Sequence, residues 1–136
     1  MRISAKVDYA FQALLHLAER SPDLVSASDL AAAQGLPHDY AETVLGELRK
    51  AGYVVSRRGS HGGYQLARPA SQVRVGSLVS QFDGPFVTVR AATPGTLQYQ
   101  GVARNLPSLW GAVDERLHDL LDSITLADVL EGRIPG

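Results

Sequence analysis

The 136-residue sequence predicts a mainly α-helical fold with one small β-hairpin, and three observations lead there. Apolar residues recur at helical spacing through most of residues 4–51. Two short strand-like segments, Tyr53–Arg57 and Tyr64–Ala67, flank a glycine-rich tip. A long apolar stripe then runs from Leu106 to Ile124.

The elements follow in order. Val7, Ala10, Phe11, Leu14, Leu15 and Ala18 place a first helix over Ser4–Glu19, with Pro22 beyond its end. An extended piece at Leu24 and Val25 leads into Ser26-Ala27-Ser28-Asp29, whose hydroxyls and carboxylate suit the cap of a second helix, Leu30–Gln34. Gly35 ends that helix, Leu36-Pro37 forms the turn, and a third helix runs from His38 to Ala51, with Tyr40, Val44, Leu45 and Leu48 on one side. Two short helices joined by a glycine-containing turn, followed directly by a hairpin with a basic, glycine-rich tip, have the organisation of a winged helix-turn-helix; a plain helical hairpin is the rival for the first part. Val75, Leu78, Val79 and Phe82 predict a further short helix ending at Asp83-Gly84-Pro85. Ser123 or Thr125 then caps a last short helix through Leu130, closed by Gly132. Residues 1–85 are therefore expected to form the winged domain, 86–105 a loop, and 106–136 a long helix with its short successor.

Composition excludes several classes. A chain of this length with 45% hydrophobic and 20% charged residues builds an ordinary core without covalent or metal staples. The absence of cysteine removes thiolate nucleophiles, CxxC zinc sites and cysteine-ligated iron–sulfur clusters. The longest uncharged run, Ala91–Ala103, is too short and too polar for a membrane span, and no signal-peptide apolar region follows Met1, so a cytoplasmic location without membrane contact is expected. Eleven arginines against two lysines, beside abundant alanine and glycine, read as a bacterial coding bias.

Thirteen basic and fourteen acidic side chains nearly cancel, yet Arg49, Lys50, Arg57, Arg58, Arg68 and Arg74 fall in a window with no acid. Such a run is either a solvated basic face or a surface for an anionic partner. Its coincidence with the hairpin favours nucleic acid.

Met1-Arg2-Ile3-Ser4, Tyr9-Ala10, Asp29-Leu30-Ala31, Tyr40, Glu42, Leu48-Arg49-Lys50-Ala51-Gly52, Arg58-Gly59, Gly62-Gly63-Tyr64, Leu66-Ala67 and Val73 to Asp83-Gly84-Pro85 carry a family resemblance. Together they resemble the IscR/NsrR/CymR-type winged helix-turn-helix regulators, the Rrf2 family, closely over residues 1–85 and in layout beyond. The resemblance implies a homodimeric transcription regulator, in the first instance a repressor, on a palindromic DNA operator, with the long helix crossing that of its partner subunit.

In such a fold the third helix enters the major groove and its exposed amino-terminal residues read base edges. Those are His38, Asp39, Tyr40, Glu42 and Thr43, and Ser28 is also expected to contact DNA. Asp39 or Glu42 would accept from a cytosine amino group, and Tyr40 and Thr43 would reach phosphate or a thymine methyl. Asp39 is equally a first-turn acid favoured by the helix dipole, and Tyr40 equally a half-buried packing residue. By resemblance Arg58, followed by Gly59, enters the minor groove, where negative potential is focused. Arg49, Lys50, Arg57, Ser60 and His61 add phosphate contacts, the glycines letting the backbone approach; a solvent-exposed loop tip is the rival reading. Leu106, Leu109, Trp110, Val113, Leu117, Leu120 and Leu121 are expected at the dimer interface, unless the long helix packs only on its own domain.

Family members that bind a cluster carry three cysteines in the loop before the long helix; here residues 90–105 hold neither cysteine nor histidine. Asp8 resembles a cluster-completing carboxylate of some relatives, but one carboxylate without thiolates does not hold iron–sulfur. No metal and no cofactor are expected, and an unidentified small-molecule effector near Pro94–Asn105 is left open. His118 and Asp122 lie one turn apart, a solvated pair rather than a closed metal site. Ser60-His61 lacks a nucleophile elbow, and Gly59–Gly63 joins two strands rather than a strand and a helix, so no enzyme is expected. A winged helix that binds another protein is the alternative.

Overall fold

Ser4 starts the first helix by accepting from the Val7 amide at 3.1 Å, and the computed structural model, which describes residues 1–135, shows what holds Ser4 itself. Its hydroxyl donates to Asp83 Oδ1 at 2.6 Å and its amide to Asp83 Oδ2 at 3.0 Å, so the chain start is fastened to a segment 79 residues away. Six helices and one hairpin follow: α1 (Ala5–Arg20), α2 (Ala27–Gln34), α3 (His38–Lys50), β1 (Val54–Arg57), β2 (Gly63–Leu66), α4 (Val75–Asp83), α5 (Leu106–Ser123) and α6 (Leu126–Glu131). Short 3-10 turns at Ala70–Gln72, Pro94–Thr96 and Gly101–Ala103 were not foreseen in the sequence, because three residues are too few to show a period.

The winged helix-turn-helix expected from the sequence is the fold observed. Of the polar residues before α2, Ser26 is the cap, accepting from the Asp29 amide at 3.1 Å, and the helix closes on Gly35. Helix α3 begins after Pro37 with no side-chain cap. The hairpin is antiparallel, with Val54 opposite Leu66 and Arg57 opposite Gly63. Val25 pairs with Tyr64 on the free side of β2 through bonds of 2.8 and 2.9 Å. The extended piece between α1 and α2 thus becomes a third, one-residue strand that docks the wing on the helical domain.

One core cluster gathers Leu14 and Leu17 of α1, Leu30 of α2, Leu45 and Leu48 of α3, Val54 of β1 and Leu78 of α4. Leu126, at the start of α6, is fully buried in the same cluster, and its amide donates to the Val73 carbonyl at 2.8 Å. The last helix therefore returns to the first domain. A second cluster of Val7, Val79, Phe86 and Val87 receives Leu117 and Leu121 of α5.

Thr125 caps α6 in a reciprocal box with Asp128, at 3.1 Å in one direction and 3.0 Å in the other. The Thr125 backbone N–H, joined by its hydroxyl and by Arg133, holds the Asp128 carboxyl below the usual carboxylate range. Thr125→Ala is expected to cost about 1 kcal/mol, read as a lower urea midpoint. An unchanged midpoint would mean that burial of Leu126 alone seats α6.

Candidate nucleic-acid interface

Pro37 pre-sets the turn and delivers His38 as the first residue of α3, so the amino-terminal turn of that helix projects from the body while Ala41, Val44, Leu45 and Leu48 hold its inner face in the core. His38, Asp39, Glu42 and Thr43 are exposed. Tyr40 is half-buried, its ring edge-on to Tyr9 with centroids 4.9 Å apart, so it props α3 against α1 as well as reaching the surface. The Thr43 hydroxyl donates back to the Asp39 carbonyl at 3.0 Å, which occupies its proton and leaves its methyl and lone pairs outward.

Three groups surround the His38 imidazole. Ser28 Oγ, from α2, shares a hydrogen bond with Nε2 at 2.9 Å; Glu42 Oε1 lies 3.7 Å from Nε2, and Asp39 Oδ1 lies 3.8 Å from Nδ1. All four residues are DNA-contact candidates from the sequence, but their mutual contact is not legible there. A ten-residue separation across a turn has no periodic signature.

The other end of α3 is anchored by Lys6 of α1, whose ammonium meets Glu47 Oε1 at 3.3 Å; Arg49 and Lys50 just beyond are exposed. Lys6 and Glu47 were absent from the expected site, since an inter-helix pair 41 positions apart requires the packed structure to be seen.

On the wing, Arg57, Arg58, Gly59, Ser60 and His61 are all exposed, and the tip is closed by a Gly62 N–H to Gly59 carbonyl bond of 3.0 Å. At the root Arg68 lies over the Tyr53 ring at 5.8 Å, and burial raises the Tyr53 hydroxyl pKa against the lowering effect of that guanidinium. Two of the motif glycines have a structural reason distinct from the expected close approach to phosphate. A Cβ on Gly62 would stand 2.2 Å from the Arg57 carbonyl oxygen, and one on Gly63, at φ +151°, would stand 2.6 Å from the Val25 carbonyl oxygen. Gly59, by contrast, faces open space.

The stripe of α5 divides. Leu117 and Leu121 turn inward to the second cluster, whereas Leu109 (50% exposed), Val113 (41%) and Leu120 (42%) form an uncovered apolar strip; Leu106 and Trp110 are half-buried. No residue of this 18-residue helix is fully buried. His118 lies between Asp114 at 3.6 Å and Asp122 at 3.9 Å with its ring against Phe86, and among the described residues no group of three or more histidine, cysteine or acidic side chains could hold a metal. None of the helices is long and apolar enough among those residues to cross a membrane.

A family model described as Rrf2, iron-dependent transcriptional regulator, matches residues 3–132. The chain is 40% identical to a candidate HTH-type transcriptional regulator of Mycobacterium tuberculosis H37Rv, Rv1287, over 99% of its own length and 84% of that protein. It is 36% identical to the HTH-type transcriptional regulator IscR of Yersinia enterocolitica, covering 98% of this chain and 81% of the relative. Among solved structures it is similar to CymR, the global cysteine regulator of Bacillus subtilis, with TM-score 0.81 and 28% identity over 96% and 97% of the two chains. The IscR of T. potens superposes with TM-score 0.76 and 34% identity over 98% and 88%. The iron in the family description finds no cysteine here, and Asp8, its carboxylate bonded by Gln12 at 2.8 Å, has no partner set for a cluster among the described residues. These relatives are regulators rather than enzymes, and a match across nearly the whole chain with the winged helix-turn-helix in place means that this protein belongs to the Rrf2 family of transcriptional regulators, as a member without cysteine.

Proposed function

We propose that the protein acts as a homodimeric repressor that reads a palindromic operator, with α3 in the major groove and the wing in the adjacent minor groove. The observation that carries this reading is that Arg49, Lys50, Arg57 and Arg58 are exposed and, among the described residues, none has a carboxylate within 4.0 Å. Unpaired cations beside a reading helix favour phosphate over any internal role. Asp39, Glu42 and Thr43 read base edges, with His38 beside them; Ser28, Ser60 and His61 lie at the periphery. Pairing of two copies through the uncovered strip of α5 sets the recognition helices about 34 Å apart, one turn of DNA. A dimer seated across a promoter blocks polymerase, which makes repression the simplest regulatory outcome.

A cleft of about 320 Å³ lined by Met1, Arg2, Val79, Asp83, Pro85, Phe86 and Thr88 opens where the loop leaves α4. None of residues 94–105 lines it; an effector seated between the Pro94–Asn105 loop, α5 and the winged domain would act by shifting α5 and so changing the spacing of the two recognition helices.

The test is recovery of bound fragments from sheared genomic DNA near physiological salt. An enriched inverted repeat supports the reading; no recovery would favour a winged helix that binds protein instead. With the operator in hand, Arg58→Ala is expected to weaken binding about tenfold and to lower the salt slope by about two, one for each subunit of the dimer. Unchanged affinity and slope would remove the wing from the interface.

A further inference from the structure

We propose that His38 is a positioning residue for base reading: pinned by Ser28 of α2, its imidazole holds the Glu42 carboxylate in one orientation at the reading end of α3. This rests on the DNA-binding reading above and names how that site gains selectivity.

The geometry separates two kinds of contact. At 2.9 Å the Ser28–His38 contact is a hydrogen bond between two different helices, and it fixes the ring. At 3.7 Å the Glu42 oxygen lies beyond hydrogen-bond reach of the same nitrogen, so the fixed ring bounds the space open to that carboxylate without bonding it, and Asp39 lies 3.8 Å from the other nitrogen. Glu42 is otherwise unrestrained, with its side chain 58% exposed and without a hydrogen bond among the described residues. A free glutamate side chain has many rotamers to lose when it meets a base, and a partner that narrows them beforehand lowers that cost. Ser28 is free for this task because Ser26, not Ser28, caps α2.

The experiment is selection from a randomised operator library by the full-length wild type and by Glu42→Ala, His38→Ala, His38→Gln and Ser28→Ala, with melting temperatures measured alongside. Glu42→Ala identifies the base pair that Glu42 reads. His38→Ala is expected to lose about tenfold preference at that same position, with preferences elsewhere and the melting temperature retained. His38→Gln, whose side-chain amide can donate to or accept from Ser28, recovers most of the preference, and Ser28→Ala loses part of it. A His38→Ala profile identical to wild type overturns the inference, and so does an equal loss at every position. A wild-type protein that enriches no motif overturns the DNA reading itself, and the inference with it.

Discussion

The double substitution Val113→Asp, Leu120→Asp is expected to leave a folded monomer whose operator affinity is lower by a factor of about 10² to 10⁴. Both side chains are already more than 40% exposed in the single chain, so placing carboxylates there removes little internal packing. In a two-fold interface every substitution occurs twice, so four carboxylates would have to leave water on association. Each unpaired buried charge costs several kcal/mol, more than the apolar strip returns. A monomer then holds only one half-site and forfeits the effective concentration that binding of the first half gives to the second. Sedimentation and operator titration check both parts. A dimer that persists would show that α5 is not the dimerisation element, and a monomer with full affinity would show that the operator is not read as two linked halves. Leu117→Asp makes the contrast: it strikes the cluster of Val7, Val79 and Phe86 and is expected to unfold the protein rather than merely divide it.

Gly63→Ala is expected to destabilise the fold by about 3 kcal/mol and to displace the wing. The residue sits at φ +151°, where a side chain is strained by about 1–3 kcal/mol, and its new Cβ would stand 2.6 Å from the Val25 carbonyl oxygen. Something must move, and what moves is the pair of backbone bonds between Val25 and Tyr64 that dock the hairpin on the helical body. Urea unfolding reads the stability change, and loss of operator affinity at salt and temperature where the variant remains folded reads the displacement. Gly59→Ala, with open space around its Cβ, should cost less and leave the docking intact. Equal costs at the two positions would show that backbone strain alone, and not the contact with Val25, explains the motif.

Much of the fold was legible in order along the chain. The period in Val7–Ala18, the punctuation of Gly35 and Pro37, the two strands around residues 58–63 and the Leu106–Ile124 stripe placed every helix and both strands to within a few residues, because each signal is local. The exposure of the candidate residues was legible to the same extent. His38, Asp39, Glu42, Thr43 and the basic wing tip are exposed as polar residues at the start of a helix and on a hairpin tip should be. The sequence also determined what the protein lacks: with no cysteine, the thiolate ligation used by cluster-binding relatives has nothing to form on.

Tertiary structure decided the rest, and in each case between residues far apart in the chain. A stripe at helical spacing does not say which of its members meet their own domain; packing sent Leu117 and Leu121 inward and left Val113 and Leu120 outside. A pair of glycines in a hairpin motif does not say whether they face a ligand or a neighbouring strand; the close approach of Val25 answers that for Gly63. Asp83 on Ser4, Lys6 on Glu47, Ser28 on His38 and Leu126 in the core of α1 and α3 are contacts between different elements. Periodicity reports which face of an element is apolar, because that follows from local backbone geometry. Which element covers that face depends on how the whole chain minimises its exposed apolar surface, a property no single segment carries.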